Sequence, residues 1–131
     1  MPPENPDSSP QTIQVTAAPS YELESGLHTA SVASASLRWH TNRNGRLYTA
    51  LHLEFAKPDG GKASLMSADF LGYFPTIFKT LGQTLPANLD VPVEQLLGLR
   101  NTEAEIHVIQ RSYNGKTYSN VLSINGVTVT K

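Results

Sequence analysis

Alternating apolar and polar residues predict β-strands over most of the chain after residue 25. The clearest strand covers residues 47–55, where the odd positions are apolar except for Thr49 and the even positions are mostly polar. Residues 26–39 favour a longer first strand, but neither phase is cleanly apolar, so we predict a bulge or a change of facing near residues 33–36. A turn at residues 58–61 leads into a short third strand at residues 62–68.

The spacing of apolar residues changes between residues 69 and 102. Several recur at three- and four-residue spacing, which is the stripe of an amphipathic helix: Leu71, Phe74, Ile77, Phe78 and Leu81. Since Pro75 fits only the first turn, the helix should begin at Tyr73 or Phe74, and Gly82 should end it. A second short helix is predicted at residues 92–97, closed by Gly98.

The last third of the chain alternates again. Apolar residues lie on one face of a fourth strand up to Val108, and Val121 faces them from a fifth strand. Ile124 falls in the opposite phase, which indicates a strongly curved sheet. A turn at residues 125–126 then precedes a small strand at residues 127–129.

Three strands, a helical connection and a two-stranded hairpin, with a first strand that bends, are the order expected of a five-stranded OB-fold (Greek-key) barrel. The predicted fold class is therefore mainly β, with a helix between strands 3 and 4. An α+β sheet of another topology is the alternative. OB folds bind oligonucleotides with the face of strands 2 and 3 and with the loops that join strands 1 to 2 and 4 to 5.

Length and charge divide the chain into two parts. Its 131 residues are enough for one domain. Residues 1–25 are acidic and rich in proline, so we expect a disordered leader, with residues 26–131 forming the folded domain. The chain has 10 basic and 11 acidic residues; residues 1–26 hold 4 of the acids and none of the bases, which leaves 10 bases against 7 acids, a net charge of +3.

The sequence contains no cysteine, and it has no apolar run of the roughly 18 residues that a membrane span needs. The first residues also lack the basic and apolar regions of a signal peptide. We therefore expect a cytoplasmic protein that does not bind membranes.

Two Asn-Gly turns repeat one pattern. Asn114-Gly115 between two alternating runs is the strongest short-range signal of a hairpin. A two-residue turn there places two cations and two aromatic rings on one face: Arg111, Tyr113, Lys116 and Tyr118. Asn44-Gly45 is likewise followed by a basic residue, a spacer and a tyrosine. If that turn also has two residues, three cross-strand pairs follow: Arg43 with Arg46, Thr41 with Tyr48, and Trp39 with Ala50.

Cations interleaved with aromatic rings suit a single-stranded nucleic acid, because cations meet the phosphates and flat rings stack on the bases. Arg43 facing Arg46 would be repulsive unless a phosphate lay between them. The candidate binding residues are Arg38, Trp39, Arg43, Arg46, Tyr48, Lys62, Arg111, Tyr113, Lys116 and Tyr118. The alternative is that the Tyr and Lys pairs only stabilise their hairpins and that Trp39 lies in the core.

No motif for catalysis or metal binding is found in the sequence. The four histidines do not have the spacing of a zinc motif, so we place them on the surface or in a groove. No carboxylate pair, nucleophile elbow or phosphate-cradling glycine loop is present. We therefore expect no enzymatic activity, no catalytic residue, no bound metal and no cofactor.

Residues 96–100, Leu-Leu-Gly-Leu-Arg, and residues 113–121, Tyr-Asn-Gly-Lys-Thr-Tyr-Ser-Asn-Val, resemble the C-terminal half of small phage- and mobile-element-encoded proteins similar to OB-fold single-stranded DNA-binding proteins. The resemblance covers residues 96–121 well, and residues 26–82 only in the order of elements. It implies single-strand binding during replication or recombination, with Tyr113, Lys116 and Tyr118 in the site. One departure is the ending Val-Thr-Val-Thr-Lys, where bacterial single-stranded DNA-binding proteins usually carry an acidic tail that recruits partners; recruitment through the C-terminus is not expected here.

The sequence therefore predicts non-sequence-specific binding of single-stranded DNA, or of RNA, by a protein of a phage or mobile element. Exposed sheet edges allow a homodimer or a higher oligomer, and the resemblance allows contacts with replication or recombination proteins. The alternative function is a protein-interaction module, an inhibitor or adaptor that uses the same barrel face.

Overall fold

The computed structural model describes residues 21–86 and 91–130, so most of the predicted leader, residues 1–20, lies outside the described residues. The described residues form seven strands: β1 Tyr21–Glu22, β2 Gly26–Thr41, β3 Leu47–Ala56, β4 Gly61–Ala68, β5 Glu103–Tyr113, β6 Lys116–Ile124 and β7 Val127–Thr128. A 3-10 turn and two helices connect β4 to β5: Asp69–Leu71, α1 Phe74–Thr80 and α2 Val93–Leu99. The fold is mainly β, as predicted, but with seven strands rather than the five of the predicted barrel. Strand β1 is additional, and β7 corresponds to the small strand predicted at residues 127–129; each has two residues.

Strand β2 is long enough to pair with two neighbours. Its first part, up to Ser31, pairs antiparallel with β5, and the part from Ser31 onward pairs antiparallel with β3. The register shifts between Val32 and Ser34, which confirms the predicted bulge. A bulge bends its strand and increases the local twist. The sheet therefore curves sharply along β2.

The sheet is partly closed into a ring. Its strand order is β1-β4-β3-β2-β5-β6-β7, and β4 pairs in addition with β6, in parallel, through Ser64 and Asn120. Strands β4 and β6 share only this residue pair, and residues 22–25 bridge the adjoining gap. The Glu22 carboxylate accepts a hydrogen bond from the backbone N–H of Ser119 at 2.7 Å. Residues 21–25, which the sequence assigns to the leader, thus belong to the folded part, where Tyr21–Glu22 form β1.

The core lies inside the curved sheet. The odd positions of β3 are buried from Leu51 to Phe55, as predicted, and Val108 and Val121 face each other inside the β5–β6 pair. A register shift between His107 and Val108 explains why Ile124, in the opposite phase, is also buried. Leu47 is 63% exposed, so the start of β3 extends beyond the core.

Helix α1 confirms the predicted start at Phe74 and the predicted stop at Gly82. Gly82 has a φ of 90°, and the N–H of Gln83 donates to the Phe78 carbonyl at 2.8 Å, which is the Schellman arrangement of a helix end. Helix α2 differs from its prediction, because Gly98 lies inside the helix instead of ending it. Asn101, with a φ of 67°, takes the left-handed conformation after the helix end, which asparagine tolerates.

Two kinds of feature are missing from the described ranges. No helix there has both the length and the apolar character needed to cross a membrane. No group of three or more His, Cys, Asp or Glu side chains there is arranged to hold a metal ion.

Candidate nucleic-acid interface

The β5–β6 hairpin has the geometry predicted for it. Asn114 and Gly115 have φ values of 51° and 77°, as a two-residue type I′ turn requires. Two cross-strand pairs follow on one face: Tyr113 with Lys116, and Arg111 with Tyr118. All four side chains are exposed, Tyr113 by 70% and Tyr118 by 43%. The hairpin therefore presents two cations and two aromatic rings to solvent.

The two-residue turn predicted for Asn44-Gly45 is wrong. Of its two central residues only Gly45 has a positive φ, of 77°, and the loop has three residues between Asn42 and Arg46. The Gly45 N–H donates to the Asn42 carbonyl, while the Asn42 side-chain oxygen accepts from the backbone N–H groups of Asn44 and Arg46, both at 2.9 Å. This is a type I turn followed by a left-handed glycine, and the Asn42 side chain stabilises it.

The extra loop residue shifts the β2–β3 register by one position from the predicted one. Arg43 does not face Arg46, because Arg43 lies at the loop tip and Arg46 pairs with Asn42. The cross-strand pairs are Thr41 with Leu47, His40 with Tyr48, and Trp39 with Thr49. Consecutive positions of a strand point to opposite faces. Trp39 and Tyr48 therefore lie on opposite faces of the hairpin and do not form one stacking site.

Trp39 is 74% exposed, so the alternative that it lies in the core is also wrong. Its cross-strand partner is Thr49, so Trp39 shares a face of the hairpin with Thr49 and Leu47. Tyr48 lies on the other face. We therefore separate Trp39, and the loop-tip residue Arg43, from the remaining candidate residues.

Tyr48 lies in an aromatic cluster on the outer face of β2 and β3. Its ring stacks on that of His40, with centroids 5.4 Å apart, and the edge contact with Phe70 has the same centroid distance. His40 also contacts His52, with Nε2 atoms 2.9 Å apart. His40, His52 and Phe70 were not among the residues predicted from the sequence. The signal for His40 was Asn42 before the loop, which fixes the register that aligns His40 with Tyr48.

The two histidine rings meet end to end. Their centroids are 5.1 Å apart and their planes are within 17°, so each Nε2 points at the other. A hydrogen bond between two imidazole nitrogens needs a proton on one of them only. Burial lowers the pKa of His52, and the positive charges of Arg38 and His40 lower it further. This contact therefore disfavours a state in which both rings are protonated.

Acid should weaken the fold through His52. Because its folded-state pKa is lower than the unfolded value of 6.5, the unfolded chain takes up a proton first as the pH falls. The stability that neutral His52 contributes is therefore fully present above about pH 6.5, and it is lost as the pH falls through the folded-state pKa of His52. Thermal unfolding at pH 7.5 and pH 5.5 measures this loss. His52→Gln should reduce it, whereas His107→Gln, at an exposed position on β5, should not. An equal loss in both variants would contradict the assignment.

A second group of candidate residues surrounds a cleft of about 500 Å³ where β4 and β6 diverge. Lys62, Lys116 and Tyr118 line it, together with Glu22. The Lys62 ammonium lies 3.6 Å from the Glu22 carboxylate, and the attraction between them is weak because both groups remain partly exposed. The cleft thus combines an aromatic ring with cations, as the two hairpins do.

A shallow depression connects the cleft to the aromatic cluster. Arg38 and His52 line it at one end, and Glu54 and Ser64 are shared with the cleft at the other. At the far end of the cluster, Arg46 lines a cavity with Tyr48 and Phe70. We call this surface the outer track: Arg38, His40, Arg46, Tyr48, His52, Lys62, Phe70, Arg111, Tyr113, Lys116 and Tyr118.

The outer track is more basic than acidic. Five of its residues are basic: Arg38, Arg46, Lys62, Arg111 and Lys116. Three carboxylates line the same cavities: Glu22, Glu54 and Asp69. The excess of positive charge suits a polyanion, and the carboxylates limit the strength of the attraction.

Comparison with known proteins gives no match to this chain, either among protein-family models or among curated proteins.

Proposed function

We propose that this protein is an OB-fold protein that binds single-stranded DNA along the outer track without sequence specificity. One observation carries the proposal: the depression lined by Arg38 and His52 joins the aromatic cluster around Tyr48 to the β4–β6 cleft, which contains Lys62, Lys116 and Tyr118. Single strands need cations for the phosphates and flat rings for the exposed bases. A surface that alternates these groups over several strands supports binding along a strand rather than at one point.

The strand pairing supports an OB barrel. Apart from the two-residue strands β1 and β7, the pairing runs β2-β3-β4-β6-β5 and returns to β2, with a helical connection between β4 and β5. In an OB fold this places the binding face on β3 and β4, flanked by the β2–β3 and β5–β6 loops. The outer track follows that face, which supports the proposed function independently of the charges.

The biological setting follows from the resemblance of residues 96–121 to phage and mobile-element proteins. Single strands are exposed during replication and recombination, so we propose an accessory role in these processes, with DNA as the ligand and RNA as the alternative. The hydroxyl that distinguishes RNA from DNA has no dedicated partner in this proposal, because the outer track recognises phosphates and ring faces.

A fluorescence anisotropy titration of a labelled 15-nucleotide oligothymidine at low salt tests the proposal. Saturable binding is expected, with little difference between oligothymidine and oligocytidine, because stacking and phosphate contacts tolerate any base. If neither oligonucleotide binds at low salt, the proposal fails and the protein-interaction alternative takes its place.

A further inference from the structure

A second cavity, of about 490 Å³, lies next to the outer track on the inner side of Phe70. Most of its lining is apolar: Leu37, Phe74, Pro75 and Val91. Its polar side chains are those of Thr49 and Asp69. An apolar cavity with a few polar groups is the usual form of a small-ligand site.

The cavity and the outer track share a wall. Phe70 and Asp69 line this cavity and also the one that contains Arg46 and Tyr48. Phe70 is 70% exposed, so its ring can turn without disturbing the core. The entrance of the cavity therefore adjoins the end of the outer track that contains Arg46 and Tyr48.

The charge at the entrance selects the part of the nucleotide that can enter. One oxygen of the Asp69 carboxylate accepts a hydrogen bond from the Thr49 N–H at 3.3 Å, and Asp69 as a whole is exposed. None of the described residues that line the cavity is a cation. The carboxylate and the apolar walls disfavour a phosphate, but they suit a flat base that donates N–H groups.

We propose that this cavity accepts one nucleobase turned out of a strand on the outer track, and that it prefers guanine. Guanine presents two adjacent donors, N1–H and the N2 amino group, on the edge that a carboxylate can contact through both oxygens. Thymine has one N–H donor on that edge, and adenine and cytosine each have one amino group. The inference rests on the proposed function and adds a base preference at one position of an otherwise unspecific site.

Oligothymidines of 15 nucleotides with one central guanine, adenine, cytosine or abasic position test the preference in competition with the all-thymine strand. The guanine strand should bind at least about fivefold more tightly, the lower limit for a two-bond contact between a side chain and a base. Trp39 provides a second signal, because it is the single tryptophan of the chain and faces Thr49 in the lining. Its fluorescence should change more with the guanine strand than with the abasic one.

Asp69→Asn should abolish the guanine preference, since an amide keeps an acceptor for Thr49 but loses one acceptor oxygen, and it should not weaken oligothymidine binding, because it removes a negative charge beside the outer track. Asp59→Asn is the matched control, because Asp59 is also exposed and accepts a backbone N–H, that of Gly61, at 3.0 Å. It should keep the preference.

Two outcomes separate failure of this inference from failure of the proposed function. If all five strands bind equally well in a salt-dependent manner, the base cavity is refuted and unspecific binding stands. If no strand binds at low salt, the proposed function fails, and the base cavity with it. A guanine preference that persists in Asp69→Asn also refutes the assignment to this cavity.

Discussion

Replacing Tyr118 by alanine should weaken oligothymidine binding by about 5- to 150-fold, which corresponds to 1–3 kcal/mol of stacking on one base. Tyr118 lines the β4–β6 cleft together with Lys62 and Lys116, and 43% of its surface is free to contact a base. Tyr113→Ala should act in the same direction, because Tyr113 is 70% exposed beside Lys116. Anisotropy titrations at one fixed salt concentration measure both effects.

The fold should tolerate Tyr118→Ala, since a cross-strand pair such as Tyr118 with Arg111 contributes only about 0.2–1 kcal/mol. Tyr21→Ala is the matched control, because Tyr21 is 44% exposed but lies on β1 outside the outer track. It should leave affinity unchanged. A large fall in the melting temperature of Tyr118→Ala with unaltered affinity would show that the ring is structural and would remove it from the site.

Glu22→Ala should destabilise the fold by about 1–3 kcal/mol, the cost of leaving a buried donor without a partner. The Glu22 carboxylate accepts the backbone N–H of Ser119, which is fully buried, at the place where β4 and β6 share only one residue pair. For a domain of about 100 residues this corresponds to a fall in melting temperature of roughly 5–15 °C. Urea unfolding and thermal unfolding measure the change.

Glu24→Ala removes the same charge two residues away, at an exposed position, and should change stability by less than about 0.5 kcal/mol. The comparison separates the contacts of the Glu22 carboxylate, with the Ser119 N–H and the Lys62 ammonium, from the change in net charge. Equal stability of the two variants would mean that the ring does not depend on Glu22 to seal its gap.

The two hairpins show how far local sequence determines structure. At Asn114-Gly115 both turn residues adopt positive φ, and the predicted pairs of Arg111 and Tyr113 follow from the turn alone. At Asn44-Gly45 the same dipeptide forms a different loop, because the Asn42 side chain accepts two backbone N–H groups and favours a three-residue turn. Asn-Gly therefore predicts a hairpin reliably, but the residues before it set the register.

The contacts that complete the site depend on long-range geometry. His40 and His52 are not cross-strand partners, since His40 pairs with Tyr48 and His52 with Ser36, yet their Nε2 atoms lie 2.9 Å apart. The Glu22 contact joins residues separated by 97 positions. Neither contact has a signature in hydrophobic periodicity, which reports only which face of an element is buried.

The central claim is that the cations of the outer track contact the phosphates of a single strand. Its most direct test is the slope of log affinity against log salt concentration for oligothymidine. Each phosphate that the protein neutralises adds about −0.7 to this slope. We expect a slope steeper than about −2, and Lys116→Ala should make it shallower by about 0.7, whereas Lys79→Ala, on α1 outside the track, should leave it unchanged. A slope near zero, or an equal change in the two variants, would contradict the claim.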